Sequence, residues 1–471
     1  MIAMTESFIQ KTLQDASDFA KETGMPKLVS IVKDVHKMSP QTFLMNGKSV
    51  YNGDRFLWSD PDRSYIFAGV GISHIFTTDN ADGRFQDIER EWKRFNEQTV
   101  VHSISYPYGT GPLIVGGFSF DPNKQSTNLW NKFPSAKFVI PAFLYTVVND
   151  QAYFTANVMV HPHKEVHDYI KEVEEAEKML LNFTTIPEKS SSIMVNKHEI
   201  EPDKWKKTIQ KATSAIKQDE FEKVVLAREL RVTFDQELKL EQITDRLMAE
   251  QPTSYVFAIE QGENCFLGAS PERLVRKVKD NVYSTCLAGS IRRGKDEEED
   301  QALGEELLTD EKNLIEHDVV VHMIKEAMSE YCEWIESPSH PALYKTKHIQ
   351  HLYTPVEGEM KKDHTLLSLV EHLHPTPALG GYPKRTSVEF IRDVERLDRG
   401  WYAAPIGWMD VEGNGEFIVG IRSGLVQKNE ASLFAGCGIV ADSDPESEYD
   451  ETNIKFNPML SALGGATHDT H

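Results

Sequence analysis

Near the end of the chain, residues 436–451 read Gly-Cys-Gly-Ile-Val-Ala-Asp-Ser-Asp-Pro-Glu-Ser-Glu-Tyr-Asp-Glu. Asp444 has the side chain of a helix cap and Pro445 the fixed φ of a first helical residue, so Glu448 and Glu451 would project from one face of the opening turns. Carboxylates spaced this way suit a hard cation. Mg²⁺ commonly takes one or two of them, keeps waters and binds an anionic substrate. A plainer use of the same residues is to complement the positive end of the helix dipole, with Glu451 pairing to Lys455 at i+4. A second acidic helix, expected over 310–328, favours the metal. There Leu314, Val321, Ile324 and Met328 make one apolar stripe that Glu316 borders, and a carboxylate at such an edge needs a cation or a metal. His317 and His322 stand at i and i+5, do not share a face, and are poor zinc ligands.

The elements that must hold these groups are legible in outline. Residues 64–71, 113–120 and 138–148 read as strands from their β-branched and aromatic content, and 87–96 and 165–182 as helices. Residues 184–200 look like an exposed connection, followed by a helix over 204–217. A second series of strands opens at Lys223-Val224-Val225-Leu226, and Ser254–Ala258 echoes Ser64–Ala68. A repeat of about half the chain would explain both series.

The 471 residues carry 51 Lys and Arg against 73 Asp and Glu, a formal charge of −22. That balance opposes nucleic-acid binding and attraction to anionic membranes, so an anionic substrate would need cations placed one by one. Four scattered cysteines fit a reducing compartment and argue against structural zinc. Neither a signal peptide nor a run of about 20 apolar residues is present, and a cytoplasmic location is expected.

Three motifs attract attention and fail. Residues 289–295 have phosphate-loop spacing, but Asp296 stands where Ser or Thr should hold Mg²⁺ and an acidic run follows in place of a helix start. Gly436-x-Gly438-x-x-Ala441 fits a relaxed dinucleotide fingerprint with no room for the βαβ unit, and reads as a close-approach loop. Cys437 has no histidine in a matching setting and reads as a buried structural thiol.

Taken together, 223–228, 268–274, 287–290, Glu316-His317, 374–384, 399–402, 420–423 and 436–452 resemble the chorismate-utilising enzymes, the family of anthranilate, aminodeoxychorismate, salicylate and isochorismate synthases. The likeness is dense over about the last half of the chain and looser over 115–122. It implies an α+β fold of two packed antiparallel β-sheets flanked by helices and formed by internal duplication. Residues 1–471 would be one chorismate-binding domain, with 1–200 the less family-like half and 201–465 the catalytic one. The Pro-Thr-Pro-Ala form at 375–378 looks like the isochorismate synthase branch, because anthranilate- and salicylate-type members carry threonine where Ala378 stands. Exchanging a hydroxyl for a methyl changes which polar groups can sit beside the ring.

The implied reaction adds water at ring carbon 2 of chorismate while hydroxide leaves carbon 4. By the resemblance, Lys223 is the base and Glu272 the acid. The lysine would need its pKa lowered by burial or nearby cations, and the carboxyl would need its own raised. From residues alone, Lys223 could equally be a strand-edge lysine snorkelling to solvent. Mg²⁺ would be held by Glu316 and Glu451, with Glu448 close by, and would take the ring carboxylate. Arg422 and Lys455 would take the enolpyruvyl carboxylate, aided by Gly436 and Gly438 amides and the Tyr402 hydroxyl. Gly289, Ser290, His351, Ala378 and Leu379 would complete the wall. No glutaminase subunit is expected. The N-terminal part looks more like menaquinone-pathway members than catecholate-siderophore ones. Salicylate synthase and an inactive binding relative are the competing readings.

Overall fold

The computed structural model describes residues 2–102, 107–183, 192–346 and 349–464. Its strands form one hydrogen-bonded network bent into two layers. The first layer runs, in spatial order, Lys27–Val35, Gln151–Val160, Ala136–Val148, Tyr65–Thr78, Arg55–Ser59, Tyr255–Gln261, Asn264–Ser270, Ser423–Gln427, Glu430–Ile439 and Lys223–Phe234, each antiparallel to the next. The two long strands Tyr65–Thr78 and Ala136–Val148 shift register between Ile72 and His74. Past that irregularity they lead into the second layer through Leu113–Phe118, Pro405–Asp410, Gly415–Val419, Arg273–Val278, Asn281–Arg292 and Ile349–Met360. Antiparallel pairing is the rule; the short strand Val100–His102 runs parallel to Lys27–Val35.

The period-2 alternation of the sequence divides the apolar residues between two cores. Phe56, Trp58, Tyr255, Phe257 and Ile259 face inward between the layers. Leu57, Val256 and Ala258 point the other way, under the helices. Across the inner core the Tyr65 and Trp408 rings lie 4.8 Å apart, and the Tyr255 hydroxyl donates to Glu416 at 2.7 Å.

The first layer's order is palindromic about the pair Arg55–Ser59 and Tyr255–Gln261, which makes the duplication visible. Lys27–Val35 at one edge answers Lys223–Phe234 at the other, and Gln151–Val160 answers Glu430–Ile439. The echoing pentapeptides are not the related pair. Tyr65–Thr78 and Tyr255–Gln261 flank Arg55–Ser59 on opposite sides, and the symmetry relates Tyr255–Gln261 to Arg55–Ser59 itself.

Several local expectations need correction. Of the connection expected over 184–200, residues 184–191 lie outside the described residues, and Met194–Glu199 is a strand paired with Lys223–Phe234. The acidic run after residue 295 does start a helix, Glu297–Thr309, because Asp296 accepts from the Glu299 amide as its cap. The phosphate-loop spacing fails on other ground: Gly289 to Arg292 lie in a strand. In the helix Glu311–Tyr331 the buried stripe is His317, Val320, Ile324 and Met328, rotated from the expected one. Gly436 and Gly438 belong to a strand and not a loop. Cys437 is buried, as expected.

Candidate active site

One cleft gathers most of the singled-out residues. It lies where the edge strand Lys223–Phe234, the strand Glu430–Ile439 and the helix Pro445–Leu463 meet the second layer, and Glu272, Ser290, His351, Ala378, Leu379, Tyr402, Arg422, Gly436 and Lys455 line it. The helix start is as expected: the Asp444 carboxylate accepts from the Glu446 and Ser447 amides.

Lys223 begins the edge strand, and its neighbour Gly438 is there for space. A Cβ at Gly438 would meet Lys223 Cε at 2.8 Å, so a side chain there would move the end of the lysine from its present position. The ammonium lies 2.5 Å from Glu316 Oε1, with the lysine side chain 13% exposed. The neighbour is therefore a carboxylate, where the expected lysine chemistry asked for burial or cations.

Glu272 follows the strand Asn264–Ser270 and is buried. Burial raises its carboxyl from 4.5 to about 7, although Arg422 and Lys223 pull it down. It thus titrates near neutrality, where a large share keeps the proton that a general acid requires. Arg422 sits at φ +50, the left-handed region, at a cost of about 1–2 kcal/mol for a side chain with a Cβ. That backbone departure sits where the guanidinium faces the cleft. Burial depresses its pKa.

Ser290 and His351 are brought into the cleft by a β-bulge. Leu287 pairs with Tyr353 and Ser290 with His351, so Ala288 and Gly289 oppose Leu352 alone, with Gly289 at φ +79. The Ser290 hydroxyl and His351 Nδ1 are 2.7 Å apart. Burial, with Arg422 and Lys455 nearby, lowers His351 to about 3, so the ring is neutral. Gly289 shapes the bulge and is not itself in the cleft lining.

His317, which the sequence marks as part of a family-like segment and as a poor zinc ligand but gives no role, anchors this arrangement. Its ring is fully buried, and burial lowers its pKa. Nδ1 donates to the bulge carbonyl of Ala288 at 2.9 Å, which leaves Nε2 to accept from the Thr354 hydroxyl at 2.8 Å. Through it, the helix carrying Glu316 is tied to the bulge carrying Ser290. Arg399, in the family-like segment 399–402, has a positioning role that its type alone does not signal. It pairs with Glu395 at 2.7 and 2.8 Å and donates to the Val225 and Leu379 carbonyls, fixing two pieces of the cleft wall.

None of the three carboxylates expected to hold metal is in the cleft lining, and two of them are paired to lysines. Glu316 faces Lys223; Glu451 faces Lys455, at 2.5 Å. Lys455 also donates to the Gly436 carbonyl, so that glycine's observed polar contact is through its oxygen. Glu448 borders Cys437, and burial raises its pKa. Among the described residues no three His, Cys, Asp or Glu side chains are gathered as a ready metal cage. One Glu448 oxygen is nevertheless buried without a hydrogen-bond partner, and carboxylate oxygens are the donors Mg²⁺ takes.

No helix among the described residues is long and apolar enough to cross a membrane. Compared with known proteins, residues 11–464 match the family described as chorismate binding enzyme. The chain is 42% identical over 476 residues to isochorismate synthase MenF of Bacillus subtilis (strain 168), covering 99% of both. It is 35% identical to the salicylate biosynthesis isochorismate synthase of Pseudomonas aeruginosa, covering 87% of this chain and 85% of that one. Among solved structures, the menaquinone-specific isochorismate synthase MenF of Escherichia coli has the same fold, with a TM-score of 0.79 at 23% identity, covering 98% of this chain and all of that one. Near-complete coverage, a shared fold and a cleft of buried acid, lysine and arginine agree: the chain belongs to the chorismate-binding enzymes.

Proposed function

We propose that this enzyme is a Mg²⁺-dependent isochorismate synthase serving menaquinone formation, with chorismate as its small-molecule substrate. The observation that carries the reading is Glu272: a buried carboxyl in the cleft whose pKa burial raises to about 7, with Lys223 and Arg422 as its charged neighbours. Arg422 and Lys455 take the enolpyruvyl carboxylate, with Tyr402 beside Gly436 closing that end. Lys223 accepts a proton from the water whose oxygen bonds to ring carbon 2. Glu272 gives its proton to the hydroxyl on carbon 4 as that C–O bond breaks, releasing water. The ring double bonds shift between the two positions, and gain and loss of one water balance to an isomerisation. Glu316, Glu448 and Glu451 would hold Mg²⁺, which supplies positive charge for the ring carboxylate.

The salicylate-forming alternative is disfavoured by the methyl of Ala378 in the cleft wall. The menaquinone assignment is supported by the full-length relative. The test is chromatographic identification of products from chorismate and Mg²⁺, with wild type beside Ala378→Thr. Isochorismate alone is expected from the wild type, and none in excess chelator. Ala378→Thr should make less of it and begin releasing pyruvate. Salicylate from the wild type, or full turnover in chelator, would overturn the reading.

A further inference from the structure

A second cavity, about 580 Å³ against about 130 Å³ for the active cleft, opens on the far side of the same edge strand. Its size is that of a small-molecule site. The helix Pro202–Ile216 forms one wall, the strand segment 226–231 the floor, and residues 394–398 the other wall. We infer that this groove is a regulatory site for an aromatic carboxylate, separate from the catalytic cleft.

The apolar part of the groove comes from Leu129, Val394 and Leu397, beside the edge of Trp205, whose indole N–H is buried without a partner. Its free charge is positive. The acids that line it are all committed: Glu201 to Lys204 and Arg396, Glu229 to Arg231, Glu395 to Arg399, and Asp398 to Thr127. On the same helix Lys204 and Lys206 are paired, whereas Lys207 and Lys211, one turn apart and exposed, have no ion pair among the described residues. In a chain of charge −22, two uncommitted lysines beside an apolar patch select a ligand with a ring and an anionic end. The apolar patch disfavours a bare phosphate, and the lysines disfavour a neutral ring.

The partition between the cavities is thin. Glu395 lines the groove and accepts from the Ala227 amide at 2.9 Å; Ala227 lines both cavities. On the other side Arg399, held by Glu395, donates to Val225 and Leu379, both in the catalytic wall. A ring seated against Val394 and Leu397 lies beside Glu395, which holds Arg399 and through it Leu379. A ligand of that chemistry would then act on turnover from outside the catalytic cleft, and inhibition is the expected outcome.

The test uses the full chain, with 2-naphthoate as probe, and 2-naphthamide and inorganic phosphate as controls, by titration calorimetry. Saturable binding of naphthoate below a concentration on the order of 1 mM is expected, with neither control binding comparably. Lys207→Glu/Lys211→Glu, both on an exposed helix face, should bind at least tenfold more weakly while keeping wild-type chorismate turnover. Lys207→Gln alone should show an intermediate loss. In turnover assays naphthoate should inhibit the wild type in a way that added chorismate does not relieve. Absence of binding, equal binding by the amide or phosphate, or inhibition that is competitive and unchanged in the double variant would each overturn the proposal. The binding arm needs no turnover, so it stands or falls apart from the catalytic assignment.

Discussion

The two edges of the first layer are built alike, and only one is a candidate for chemistry. Gln151–Val160 and Glu430–Ile439 are strands of 10 residues, each followed by a connection of equal length (161–165 and 440–444) and a helix packed back on the layer. Counting back from the strand ends, Gly436 and Gly438 correspond to Asn157 and Met159. In the N-terminal half Asn157 is buried and satisfied by Ser30 and Pro141, so side chain fills the space that the glycines leave open. Tyr169 stands where Glu448 does, donating nothing to a cleft and instead accepting from the His161 amide. Glu172 stands where Glu451 does and pairs with Lys164, its side chain 59% exposed. The frame is common to both; burial of a carboxyl, two glycines and a bulge distinguish the edge that can hold a substrate.

The comparison can be broken from its chemical end first. Lys223→Ala should lower kcat by about 10²–10⁴-fold with KM nearly unchanged, the scale of losing one proton-transfer group. A change confined to KM in steady-state kinetics would show that the lysine only binds. Making the active edge resemble its counterpart comes next. Gly438→Met would force the Lys223 stem aside, and a displacement of about 1 Å is enough for roughly 10²-fold in kcat/KM. Wild-type kcat/KM in that variant would show that the space is not used. The reverse exchange is the smallest on function: Met159→Gly should leave turnover unchanged while costing about 1–3 kcal/mol in denaturant unfolding, from lost packing and strand entropy. Altered kcat there would mean that the N-terminal edge takes part after all.

Much of this was legible in the chain and some of it was not, for identifiable reasons. Alternating apolar residues located the strands, and the Asp444-Pro445 cap located the acidic helix, because caps and period-2 patterning are local signals. The bulge that turns Ser290 to His351 is a register event between distant strands and leaves only Gly289 as its trace. The apolar pattern puts Leu314 and Val321 on the stripe, whereas the helix is rotated so that His317 and Val320 are buried instead, and a histidine gives no apolar signal of that. The Lys223–Glu316 contact joins segments far apart in sequence and could not be read from either. Likewise the duplication was sought in a pentapeptide echo, whereas it survives in strand order and spacing.

The central claim is that a buried, protonated Glu272 does acid work at near-neutral pH. Its folded pKa, about 7, lies above its ordinary 4.5, so the folded state holds the proton more tightly; the associated stability is complete below about 4.5 and is lost as pH rises through about 7. Glu272→Gln removes that titration. The direct measurement is turnover and unfolding free energy against pH, wild type beside Glu272→Gln. The wild type should lose activity as pH rises past about 7, while the variant is about 10²–10⁴-fold slower throughout and gains stability over the wild type with pH, by about 3 kcal/mol near pH 9. Wild-type turnover by Glu272→Gln, or a stability difference that does not change with pH, would contradict it.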